Sequence, residues 1–222
     1  MLRYIAYFFT VVFHPLLILS YMLIILLLVN PYLFGVSHIG DGHSIILILI
    51  IFLSTFFIPF FSVLMLKFLD FIESLEMQQR SDRTVPYIIT AVIYLSIFRY
   101  LLHFPKVPEA YKSFVLGSII GLFIAFFINL FSKISAHAVG MGGLLGMIVI
   151  TMLLFSYDGF ALNLGSLGIF YMSTHSLLII TILLTGIVGT SRMILNAHNL
   201  QDLYGGFLVG FSAQFIALRF FI

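Results

Sequence analysis

Near its C-terminus the chain reads "GTSRMILNAHNLQDLYGGFLVG", residues 189–210, which places Arg192, His198 and Asp202 between two apolar runs. In a protein that is only 8% charged, ionisable groups beside a bilayer are costly and are a functional-site hypothesis by default. His198 and Asp202 stand four residues apart, one turn apart on the same helical face. A carboxylate so placed accepts the Nδ1–H of the imidazole and fixes its tautomer. Nε2 is then left as a base, a nucleophile or a metal ligand. Taken alone, such a pair is more often a structural hydrogen bond. Arg192 adds a guanidinium that either forks onto phosphate or carboxylate oxygens or anchors the end of a span at the headgroups. Six residues separate it from His198, so the two converge only if the chain turns between them. "LNAHN", with Asn196 and Asn199 around the histidine, permits that turn.

Two other segments carry matching chemistry. "FSKISAHAVG" holds Ser135 and His137 ahead of Gly140, Gly142 and Gly143. Small residues at a helix start leave backbone N–H groups accessible, and that end of a helix favours anions. His137 is a candidate proton donor to a leaving group, or else a first-turn residue facing headgroups. "QQRSDRTVP" sets Arg80 and Arg83 one turn apart with Asp82 between them. They form a second phosphate clamp or a membrane-flanking basic pair. Together the segments offer cations, an anion-friendly backbone, a candidate acid and an orientable imidazole. They offer no acidic cluster suited to Mg²⁺ or Ca²⁺, so neither a metal nor a cofactor is expected. Phosphoryl transfer needs charge stabilisation, an in-line nucleophile and help for the leaving oxygen, and this inventory fits it better than acyl transfer or redox chemistry.

The elements that must position these residues are membrane spans. Of 222 residues, 62% are hydrophobic, and the mean hydropathy is +1.22, so most of the chain is dissolved in lipid. The fold expected is an all-α integral membrane protein, a polytopic bundle of six to seven transmembrane helices forming one domain over 1–222. Apolar stretches run at about 4–29, 44–68, 86–103, 113–131, 138–156, 168–190 and 203–222. Turn chemistry separates them at "NPY", "GDGHS", "FPKVPEA" and "SYDG". "KFLDFIESLEMQQRSDRTVPY", 67–87, mixes apolar and charged residues at helical spacing and predicts an interfacial helix. Counting crossings sends the segments after spans two, four and six to one membrane face, so the three candidate segments gather there. Glycine pairs in "GSIIG", 117–121, and "GFLVG", 206–210, read as helix-packing seams, and "GGLLG" admits the same explanation. Cysteine is absent, which excludes disulfides and thiolate chemistry. A formal charge of +2 gives no reason to expect nucleic acid as a partner.

In these residues the chain resembles the type 2 phosphatidic acid phosphatase superfamily of membrane lipid phosphatases. Their third motif is Ser-Arg, five residues, His, three residues, Asp. Ser191-Arg192, "MILNA", His198, "NLQ" and Asp202 match it in type and spacing. Their second motif, Pro-Ser-Gly-His, resembles "ISAH", 134–137, which keeps Ser135 and His137 but has Ala136 for the glycine. Their first, a Lys, six residues and Arg-Pro, is represented by "RSDRTVP" without the Lys. The resemblance covers about 80–205. It implies that His198 attacks phosphorus, Asp202 orients it and His137 protonates the leaving alkoxide. Arg192, Ser191 and Ser135 would hold the phosphoryl oxygens, with Arg83 and Arg80 standing for the first motif. The substrate implied is a lipid phosphate or diphosphate, the partners membrane lipids, and the location the bacterial inner membrane as a multi-pass protein. A Cβ at Ala136 crowds a backbone N–H that should approach phosphate closely.

Three other functions are compatible with these residues. A phosphotransferase would use the same histidine with another acceptor, and a lipid-phosphate-binding protein would keep the fold without turnover. A channel is disfavoured because no span carries ionisable residues along its middle. "HIGDGHS", with His38, Asp41 and His43, suggests a metal site but lies on the opposite face. Basic residues number six on the motif face and four on the other, and setting aside Arg80, Arg83 and Arg192 removes that bias, so the count assigns no orientation.

Overall fold

The computed structural model describes residues 1–75, 77, 79–163 and 168–222. Among them, six helical segments are long and apolar enough to cross a membrane: Leu2–Val29, Gly42–Phe68, Ser81–Leu102, Glu109–Phe131, Ala136–Phe155 and Thr174–Ile194. The chain is an all-α polytopic bundle, as its composition requires.

The first span is interrupted. α1 (Leu2–Val12) stops at Phe13, and His14 caps a 3₁₀ turn, Pro15–Leu17, that opens α2 (Ile18–Val29). Pro15 lacks an N–H and excludes helical geometry from the residue before it, which places the break at His14. α2 is largely buried. Its Leu19, Met22, Leu23, Leu26 and Leu27 are almost wholly enclosed. The second span, α3 (Gly42–Phe52) and α4 (Ile58–Phe68), is joined by a π-helical turn, Leu53–Phe57.

Between Phe68 and Ser81 the structure corrects the interfacial helix expected over 67–87. The described residues there form turns and bends, with Asp70 at φ 57° and Met77 at φ 45°, and residues 76 and 78 lie outside the described ones. Apolar and charged residues alternate at helical spacing, yet two left-handed backbone positions interrupt any helix. α5 (Thr84–Leu102) follows a 3₁₀ turn at Ser81–Arg83. α6 (Glu109–Phe131) and α7 (Ala136–Ile150) come next.

A second correction concerns span six. The stretch expected as helix from 168 instead opens with strand β2 (Ile169–Ser173), which pairs antiparallel with β1 (Gly159–Asn163). The helix proper, α8, runs Thr174–Ile194. α9 (Leu200–Leu218), expected as a seventh span, has 19 residues and is not among the six segments above; it packs along two of them, α6 and α7.

The glycine seams explain that packing. In lipid, helix association rests on close contact between helices rather than on a gain in apolar burial. A Cβ on Gly210 would run into Val139 O, and one on Gly142 into Phe207 O. Gly206 likewise faces Ala138, and Gly117 faces Gln214. These pairings set α7 and α9 parallel and in backbone contact, with α6 antiparallel to α9. Both α7 and α9 therefore begin at the same end of the bundle.

Candidate active site

At that end the three sequence segments are hydrogen-bonded to one another. Arg80 donates through Nη1 to Phe131 O at the end of α6, and Asn129 Nδ2 donates back to Arg80 O at 3.0 Å. Arg83 Nη1 donates to Ile134 O at 3.0 Å, and its Nε to Met77 O at 2.9 Å. Ser135 N donates to Asp202 O at 3.3 Å. The convergence expected from counting crossings is thus made by main-chain acceptors.

The turn between Arg192 and His198 is a helix-ending motif. α8 ends at Ile194, Asn196 takes φ 53°, and the N–H groups of Asn196 and Ala197 donate to Met193 O and Arg192 O. Asn tolerates that left-handed position where most residues do not. Asn199 then caps α9. Its side chain accepts from Asp202 N at 2.9 Å, while Asp202 Oδ2 accepts from Asn199 N at 3.3 Å. The same Oδ2 lies 3.1 Å from His198 Nδ1, and both side chains are buried. A carboxylate held by its own helix cap therefore holds the imidazole, with Nδ1 as donor and Nε2 left for chemistry. Burial draws His198 below its ordinary imidazole value, against the pull of the Asp202 hydrogen bond. The charges of Arg83 and Arg192 add to the lowering. The neutral, nucleophilic form is the favoured one.

His198 borders a cavity of about 210 Å³ that is also lined by His14, Arg83, His137 and Arg192. Its remaining wall includes Leu16, Phe60, Val63, Leu75 and Pro86. The lining thus combines guanidinium and imidazole groups with mainly apolar side chains, Tyr87 and Thr90 being the other polar ones. Ala136 and His137, the first two residues of α7, both line it, so the positive end of that helix faces the same space. His137 Nε2 sits 3.2 Å from Thr10 O. That nitrogen donates to the carbonyl, which makes Nδ1 the other exchangeable position.

Not every expected site residue borders this space. Ser135 is the N-cap of α7, where its buried Oγ accepts from Ala138 N at 3.3 Å. Ser191 Oγ donates to Ile187 O at 2.8 Å within α8. Arg80 is exposed and spends its guanidinium on the end of α6. None of the three is among the described residues lining the cavity. Asp202 reaches it through His198.

Sequence reasoning missed His14. Its ring lies edge-on to His137 with centroids 5.6 Å apart, and it brings the first span into the site. The available signal was a His-Pro pair in the middle of an apolar run. Non-helical backbone at that depth is tolerated where it is enclosed by protein or lines a cavity. Comparison with family models, curated proteins and solved structures found no match for this chain.

Proposed function

We propose that this chain is an integral-membrane phosphatase that hydrolyses a lipid phosphate or diphosphate through a phosphohistidine on His198. The observation that carries this reading is the oriented His198–Asp202 pair, whose imidazole borders one cavity with two guanidiniums and two further imidazoles. His198 Nε2 attacks phosphorus while Arg83 and Arg192 neutralise the non-bridging oxygens. The bond to the leaving oxygen breaks, its electron pair stays on that oxygen, and His137, entering the step as the imidazolium with Nε2–H on Thr10 O, supplies the proton from Nδ1. Water then attacks the phosphohistidine, its proton passes to His137, and the N–P bond breaks to release inorganic phosphate. Both charge-neutralising groups are arginines, so the chemistry is expected to run without a metal ion. The apolar wall of the cavity would receive the start of the lipid tail. The bacterial inner membrane is the location that goes with this reading.

The test is phosphate release from a panel of lipid phosphates and diphosphates by detergent-solubilised protein, with a chelator present. Wild type is expected to release phosphate and to form an acid-labile, base-stable phosphoenzyme. His198→Ala should do neither, and His137→Ala should accumulate little product. Release that persists in His198→Ala would end the mechanism.

A further inference from the structure

His14 extends the proposed site, and the inference drawn from it rests on the phosphatase reading. We infer that His14 is a substrate-binding residue that selects a diphosphate over a phosphate monoester. The backbone at the break in the first span fixes what its ring can offer. Leu16 N donates to His14 Nδ1 at 3.4 Å, so in the neutral ring the proton resides on Nε2. That leaves Nε2–H as the donor on a ring that lines the cavity. The ring stands beside His137, which supplies the leaving group's proton, with centroids 5.6 Å apart.

The position matters because attack by His198 is in line, so whatever surrounds His137 surrounds the leaving group. When the substrate is a monoester, the leaving group is an alkoxide whose single oxygen is already served by His137, so a second N–H donor there gains little. When it is a diphosphate, the leaving group is itself a phosphate, with non-bridging oxygens that need donors. His14 Nε2–H meets that need, while Arg83 and Arg192 serve the phosphoryl group being transferred. The step balances as before. The bridging P–O bond breaks, its electron pair remains on the lipid monophosphate, and His137 protonates the departing oxygen.

Two substitutions separate the donor from the turn that holds it. His14→Asn keeps an acceptor able to cap Leu16 N but cannot reach the Nε2 position. His14→Gln places an amide N–H near that position. The measurement is kcat/KM for farnesyl diphosphate and farnesyl monophosphate, which share one tail, with full-length protein in detergent. His14→Asn should lower the diphosphate-to-monophosphate ratio by about tenfold or more, the usual weight of one hydrogen bond to a charged group. His14→Gln should recover most of it. Equal losses on both substrates, or a ratio that His14→Gln leaves depressed, would overturn the inference while leaving the phosphatase reading intact. If wild type hydrolyses neither substrate, the phosphatase reading falls and ligand-induced thermal stabilisation decides. A shift with inorganic pyrophosphate that exceeds the shift with orthophosphate, and that His14→Asn removes, supports the inference. Equal shifts refute it.

Discussion

The two ends of the bundle each carry a histidine close to an aspartate, and they use the pair differently. At one end Asp202 Oδ2 lies 3.1 Å from the His198 ring, and the ring borders a cavity with Arg83 and Arg192. At the other, Asp41 Oδ1 accepts from the backbone N–H of His43 at 2.9 Å and caps α3. The His43 ring stacks on Phe104, 6.3 Å away and nearly parallel. Among the described residues no group of three or more metal-ligating side chains gathers there or elsewhere. The reach of each carboxylate accounts for the difference. Asp202 reaches back over the start of α9 to the Asn199 N–H and to the His198 ring ahead of it, whereas Asp41 reaches only the backbone N–H of His43.

That contrast is broken or sharpened by substitution at each end. The largest effect is expected for His198→Ala, which should reduce phosphate release to background, while His43→Ala should keep it within about twofold; steady-state release under one detergent condition compares them directly. Asp202→Asn should follow, with a loss in kcat of about 10⁴-fold, the scale seen when a carboxylate no longer fixes an imidazole tautomer. The sign of its pH effect is fixed. Asp202 favours the imidazolium, so its removal lowers the His198 pKa further. The acid limb of the profile, already below the ordinary imidazole range, should move to still lower pH. A shift to higher pH would mean that Asp202 does not act on His198 by charge.

Arg192→Lys keeps the charge and loses the fork, and should cost about 10² in kcat/KM, the typical scale for one preorganised donor. The smallest effect belongs to the far end. Asp41→Ala removes a helix cap and should cost about 1 kcal/mol of stability, read as a lower melting temperature with unchanged turnover per folded molecule. Loss of turnover in Asp41→Ala would place that end in the mechanism.

These contrasts also mark how much of the molecule was legible in the sequence. The convergence of the segments holding Arg83, His137 and Arg192 follows from the parity of crossings, which periodicity reports. The His198–Asp202 contact is expected from one helical face, but His198 lies two residues ahead of α9, and the turn that Asn199 caps brings the two together. The exceptions are where regularity stops. His14 enters the site because Pro15 breaks a span, and a hydropathy window averages over such a break. Ser135, Ser191 and Arg80 have the right types for phosphate, but their side chains instead satisfy or contact backbone groups in and around the helices. Polar side chains near helix ends compete for those groups, and residue type alone does not say which use prevails. Likewise an apolar run at 168–173 reads equally as helix or strand, and the hairpin shows which pairing was available.

The glycine seam between α7 and α9 bears on how this protein would tolerate different membranes. Helices that touch through long side chains can tilt and slide as bilayer thickness changes. Where Gly142 and Gly210 bring main chain against main chain, there is no such compliance, and the two helices move as one piece. His137 sits on the first turn of one, and Asp202, which holds His198, on the first turn of the other. The separation of the two imidazoles is therefore a property of the chain itself, carried unchanged from a thin bilayer to a thick one.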